Sequence, residues 1–189
     1  MELPRRNRLI HVCEKKMDRI SDNPRLPRLV LLEHPAPEQH DEILRQLLEF
    51  NAGTVGPTTV QPFAIVLKNP ETETIEGGLW GESSYDWLYV HMLIISRNFR
   101  KRGLGSALLG KAEAIATNRG YRGIRVDTFS FQAPGFYEKL GYRRFGKLAN
   151  YPQGHETIFY FKALAAKPGG DAAATEALNR ADPTDRPTQ

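Results

Sequence analysis

The most constraining feature of this sequence is a basic, glycine-bearing turn, Arg100-Lys101-Arg102-Gly103-Leu104-Gly105, between an apolar run that ends at Ile95 and an amphipathic run that begins at Gly103. Trp87 to Ile95 is rich in aromatic and β-branched residues and predicts a central strand. Leu104, Leu108, Ala112 and Ile115 recur at helical spacing as far as about Asn118, and Gly120 follows as a stop signal. Arg122 to Phe129 predicts a further strand. A strand, helix, strand succession of this length is the parallel crossover unit, right-handed in nearly all cases. Its first turn gathers unpaired N–H groups and the positive helix end at one spot, a candidate anion site. Taken alone, the same residues also fit a plain helix start with a solvated basic turn.

The flanking sequence supplies the rest of a domain over residues 28–165. Arg28 to Glu33 is a compact apolar run that predicts a first strand, and Glu38 to Asn51 carries Ile43, Leu44, Leu47, Leu48 and Phe50 at helical spacing. Phe63 to Lys68 and Thr74 to Gly81, joined by a turn at Asn69-Pro70, predict a hairpin. Ala133 to Leu140 predicts a short helix capped by Gly141. Tyr142 to Leu148 and Thr157 to Leu164 predict a last pair of strands. Residues 1–27 read as an N-terminal arm, and residues 166–189, poor in large apolar groups, as a disordered tail.

Composition excludes several classes. No apolar run approaches the roughly 18 residues that span a bilayer, and no apolar signal segment follows Arg5, Arg6 and Arg8, so a soluble cytoplasmic protein is expected and no membrane partner. Cys13, the only cysteine, excludes an internal disulfide and any zinc site built on several thiolates, and no metal is expected. A net charge of +4 without a long basic block favours an acidic small ligand. Arg97, Arg100, Lys101 and Arg102 come with no recognition-helix pattern, so no nucleic-acid partner is expected.

The glycines of the turn fail two common phosphate motifs. A dinucleotide loop would place a third glycine where Leu108 stands, and a Walker loop would place Lys after Gly105, where Ser106 stands. R-x-x-G-x-G after a strand, followed some thirty residues later by Ala133-Pro134-Gly135-Phe136-Tyr137-Glu138-Lys139-Leu140-Gly141-Tyr142, resembles the GNAT superfamily of acyl-CoA-dependent N-acetyltransferases. The second segment is similar to that family's A-x-x-F-Y-x-K-x-G-F, with Tyr142 for the final Phe, and the resemblance spans about residues 28–164.

The resemblance implies an α/β (α+β) fold: a mixed, mostly antiparallel central sheet with one parallel strand pair at the cofactor site, the fourth and fifth strands of the predicted order, and helices on both faces. It implies acetyl-CoA as donor, coenzyme A as product, and a pyrophosphate held on backbone N–H groups of Arg102, Gly103, Leu104, Gly105 and Ser106, with Arg100 and Lys101 adding charge. Leu93, Ile95, Ala133, Phe136 and Tyr137 would complete the cofactor contacts, and Ser130 stands where the family often has Asn. Family members are often dimers, which extends to a homodimer here.

Acyl transfer to an amine poses two proton problems. An amine with a pKa near ~10.4 is protonated at pH 7, and freeing its lone pair costs about 4–5 kcal/mol. The family places a base candidate on the central strand, where His91 stands. Tyr89, on the same strand face, and Glu82 and Asp86 could serve through water, and a packed structural role for His91 stays open. Tyr89, His91, Leu93 and Ile95 share one face in an unbulged strand. The second proton goes to the departing thiolate, and by resemblance Tyr137 is its donor. The spacing of Phe136 and Leu140 predicts that Tyr137 turns off the packed side of its helix. Tyr151 and His155, in the last hairpin turn, would contact the acceptor together with Tyr89. Trp80, Tyr85 and Trp87 are predicted in the core. The expected acceptor is a primary amine on a small molecule, its identity open among antibiotics, polyamines, amino acids and protein N-termini or lysines, and Glu82, Asp86 and Glu156 hint weakly at a cationic one. A non-catalytic acyl-CoA-binding module of the same fold is the alternative.

Overall fold

The computed structural model describes residues 26–165. In chain order these form helix α1 (Pro37–Val55), strands β1 (Gln61–Lys68), β2 (Ile75–Ser84) and β3 (Trp87–Ile95), a 3-10 turn at Arg97–Phe99, helix α2 (Leu104–Asn118), strand β4 (Gly123–Phe129), helix α3 (Pro134–Lys139), and strands β5 (Arg143–Ala149) and β6 (Glu156–Ala163). By its internal contacts the chain divides after Phe50 into two units. In the first, Arg45 of α1 bridges Glu42 and Glu49 one turn either side, a pairing that supports an exposed helix. No helix among the described residues is long and apolar enough to cross a membrane.

The second unit holds a six-stranded sheet in the order β1-β2-β3-β4-β6-β5. Every neighbouring pair is antiparallel except β3 and β4, which the crossover through α2 forces to run parallel. Alternation along the strands sends Leu88 and Val90 of β3, Ile124 and Val126 of β4, and Ile158 and Tyr160 of β6 into one core. Leu108, Leu109, Ala112 and Ala116 of α2 close that core, and burying each large apolar side chain contributes about 1.5–3 kcal/mol.

A bulge in β3 sets the geometry of everything near it. Trp80 of β2 pairs with Met92 but Gly81 pairs with Val90, so His91 has no residue opposite it. One extra residue flips the strand's alternation. Leu88 and Val90 face the core before the bulge, and Leu93 and Ile95 pack against the same core after it, leaving Met92 and Ile94 exposed. Tyr89 and His91 therefore lie on the opposite face from Leu93 and Ile95, which corrects the expectation of one shared face.

Three further expectations are corrected. Residues 28–33 form no strand and pair with none of the six, so their backbone groups gain nothing from an extended ladder, and Leu29 to Leu32 are exposed. Trp80 and Tyr85 are exposed rather than core, because Trp80 alternates with the buried Leu79 and Gly81, and Tyr85 sits at the tip of the β2–β3 hairpin. Tyr137 turns into the core instead of away from it, as described below. Of the predicted arm, residues 1–25 lie outside the described residues, as does the predicted tail, residues 166–189.

The bulge needs a glycine across from it. A Cβ on Gly81 would overlap the backbone carbonyl oxygen of Tyr89 and crowd the Phe63 ring. Gly81→Ala is therefore expected to destabilise by about 1–3 kcal/mol through overpacking, whereas Gly110→Ala, in the exposed interior of α2 with nothing near its would-be Cβ, is expected to stabilise by about 0.5–1 kcal/mol. Urea unfolding of the two variants checks the contrast.

Candidate active site

Parallel pairing between β3 and β4 runs only from Trp87 opposite Gly123 to Val90 opposite Val126. Beyond the bulge no further pair forms, and a cavity of about 760 Å³ lies beside this fork on the α2 side of the sheet. Leu93 and Ile95 of β3, Thr128 at the end of β4, and Ala133, Phe136 and Tyr137 of the α3 segment line it. The turn before α2 closes it with Arg100, Lys101, Gly103, Leu104, Gly105 and Ser106.

This turn is built to present backbone. Gly103 adopts φ 78°, a left-handed conformation that suits glycine, and starts α2 with no side-chain cap. Among the described residues, no acceptor meets the backbone N–H groups of residues 101–106. Those donors and the helix end make the mouth of the cavity a site for negative charge. Arg100 is anchored there by its Nε, which donates to the Ile95 carbonyl at 3.0 Å. Gly105 lets Phe136 approach, since a Cβ would sit 3.1 Å from that ring. Arg102 does not line the cavity. Its guanidinium lies 5.5 Å from the centre of the Phe99 ring.

Tyr137 is 6 % exposed, stacked on Tyr160 with ring centres 5.7 Å apart and set edge-on to Phe136 and Tyr142. α3 has fewer than two turns, and the aromatic stack on β6 decides which of its rings goes inward. Tyr137 nevertheless lines the cavity, and its hydroxyl bonds to no described residue. Burial, and secondly the charge of Asp127, push its pKa up to about 12. The phenol stays protonated through the neutral range.

On the opposite face of the fork lies a polar group of different make-up. Tyr89 Oη donates to Asp127 Oδ1 at 2.5 Å, and burial followed by this bond raises the Tyr89 pKa to about 12. The Tyr89 ring centre is 4.0 Å from that of His91 and 3.7 Å from the Arg125 guanidinium. His91 Nε2 is 3.3 Å from Glu82 Oε1. Neither Tyr89 nor His91 lines the cavity.

The last hairpin reaches the rim through aromatic contacts. Phe131 lines the cavity, stacks on Phe129 at 5.2 Å and meets His155 edge-on at 4.8 Å, while Tyr151 packs edge-on against Phe129. Ser130 is not at the cavity: its N–H donates to the Glu156 carbonyl and its Oγ accepts from the Glu156 N–H, tying β4 to β6. Gln132, which sequence reasoning passed over, lines the cavity instead. Its Oε1 accepts from Thr128 Oγ1 at 2.8 Å and from the Phe129 N–H at 3.0 Å. Its place one residue before Ala133 is the only sequence signal that could have marked it. Thr128 and Asp127 were missed as well, because only the fork brings them to the site, and Phe99 was missed although it directly precedes the basic turn.

Comparison with known proteins shows the family. The profile of the acetyltransferase (GNAT) family matches residues 31–142. The chain belongs to that GNAT acetyltransferase family. A blasticidin-S acetyltransferase of Streptomyces morookaense is 42% identical over 95 residues, which are 50% of this chain and 70% of that protein. An acetyltransferase of Agrobacterium fabrum (strain C58) is 30% identical over 125 residues, 66% of this chain and 90% of that one. The crystal structure of an acetyltransferase from Bacillus cereus superposes with a TM-score of 0.62 at 33% identity, covering 71% of this chain and 98% of its own. The matched span of the GNAT profile contains the turn, the fork and Tyr137.

The protonation of Tyr137 has a stability signature. A phenol ionises near ~10 in the unfolded chain but near about 12 when folded, so between these values the folded state binds more protons. Stability then falls as pH rises through that window. Urea midpoints measured from pH 9 to pH 12 are expected to drop for the natural protein and to drop less steeply for Tyr137→Phe.

Proposed function

We propose that this GNAT protein transfers an acetyl group from acetyl-CoA to a primary amine of a small molecule by direct attack within the fork between β3 and β4. The observation that carries this reading is the run of unpaired N–H donors at residues 101–106, set at the mouth of a cavity that also contains the Tyr137 ring. Those donors, with the charges of Arg100 and Lys101, suit a pyrophosphate. The apolar walls from Leu93, Ile95 and Phe136 and the amide of Gln132 suit the thinner arm that follows it. The 42% identical relative is named for a small-molecule acceptor, which supports a small acceptor here.

Acetyl-CoA supplies the activated thioester. The chain supplies positioning and protons. Tyr137, its proton held by burial, gives it up from Oη where the leaving sulfur gains charge. His91, with Glu82 beside it, takes a proton from the incoming amine, directly or through water. Tyr151 and His155 form the acceptor rim with Phe129 and Phe131.

Release of free thiol from acetyl-CoA in the presence of an amine panel tests the reading. Binding of acetyl-CoA without thiol release for any amine would instead identify a non-catalytic acyl-CoA-binding module. Tyr137→Phe is expected to lower kcat by about 100-fold or more with the acetyl-CoA dissociation constant little changed, and wild-type turnover in this variant removes Tyr137 from the acid role. Replacing Arg100 and Lys101 by Ala is expected to weaken acetyl-CoA binding by about tenfold, with a loss that shrinks as salt screens the charges.

A further inference from the structure

Asp127 is the one acidic side chain on β4, and it occupies the first position beyond the last parallel pair, Val90 with Val126. It points to the face of the sheet opposite the cavity, since Ile124, Val126 and Thr128 alternate with it into the core side. It is half-buried, and of its several lone pairs one is taken, by Tyr89 Oη. No described Lys, Arg or His forms an ion pair with it. Arg125, two residues away on the same face, lies over the Tyr89 ring instead, 3.7 Å from its centre.

The groups around this carboxylate are Tyr89 and His91 of β3, Glu82 of β2 beside His91, Arg125 of its own strand, Phe159 opposite it on β6, and Tyr137, whose phenol its charge reaches from across the fork. A partly buried carboxylate with lone pairs to spare and no ion pair among the described residues is placed to receive a cation. The nitrogen that attacks a thioester cannot be that cation, because it must be neutral to react and a neighbouring carboxylate would hold its proton on. A second basic group on the acceptor would supply that cation.

Resting on the transferase reading above, we propose that Asp127, held by the Tyr89 hydroxyl, anchors a second cationic group of the acceptor, so that the preferred substrates are small amines carrying two basic groups. The acceptor enters from the Asp127 face and presents its other amine through the fork to the cavity side. Tyr89 acts here as a positioning residue and Asp127 as the specificity determinant.

Thiol release is measured for short α,ω-diaminoalkanes and amines bearing a guanidinium, against n-alkylamines of the same length, with acetyl-CoA affinity measured by calorimetry on each variant. The natural protein is expected to favour the dibasic acceptors through a lower acceptor KM. Asp127→Asn is expected to erase that preference by raising their KM about 10-fold to 100-fold relative to the monoamines, the worth of one hydrogen bond to a charged group, with acetyl-CoA binding unchanged. Tyr89→Phe, which keeps the carboxylate but frees it, is expected to lower the same preference several-fold. A natural protein that does not discriminate, or an Asp127→Asn protein that still does, overturns the inference while the transferase reading stands. A natural protein that binds acetyl-CoA and acetylates no amine overturns both.

Discussion

The site depends on the end of hydrogen bonding between two parallel strands. β3 and β4 pair for four residues and then part at the bulge beside His91. A continuous ladder would fill the fork with backbone bonds and leave no passage between the two faces of the sheet. Gly81 makes the bulge possible by leaving room for the Tyr89 carbonyl, and the short turn after Ile95 delivers α2 to the edge of the opening.

The two faces of that fork carry opposite chemistry. On the cavity side are unpaired N–H groups, Arg100 and Lys101, and a buried phenol that keeps its proton. On the other side are Tyr89, Asp127, His91 and Glu82, with Arg125 directed onto a ring. One face carries N–H donors and cationic side chains, the other carboxylates beside His91 and Arg125, and the sheet separates them except at the break. An acyl transfer between an anionic donor and a basic acceptor suits such a division.

Much of the architecture was legible in the sequence. The strand Trp87–Ile95, the helix that starts after Gly103, the two hairpins and the short helix at Ala133 all appear close to their expected bounds, because their periodicities and glycine stops are local signals. Most of the expected cofactor-side residues line one cavity for the same reason, since the turn and the Phe136-Tyr137 segment each carry their own pattern. Residues 28–33 show the limit: an apolar run predicts a strand only if a neighbour accepts its hydrogen bonds. Ser130 shows it differently, its hydroxyl being spent on Glu156 while Gln132 takes the place at the cavity.

The sequence by itself determined that a basic glycine turn joins a strand to a helix, that a second aromatic segment follows a parallel crossover, and hence which family the chain resembles. Tertiary structure alone decided which residues share a face. A bulge is a property of two paired strands, so the reversal of phase between Tyr89 and Leu93 has no trace in the spacing of either. The inward turn of Tyr137 likewise comes from Tyr160, twenty-three residues later in the chain and 5.7 Å away in space. Asp127 becomes a candidate for recognition only because it stands one residue past the last parallel pair.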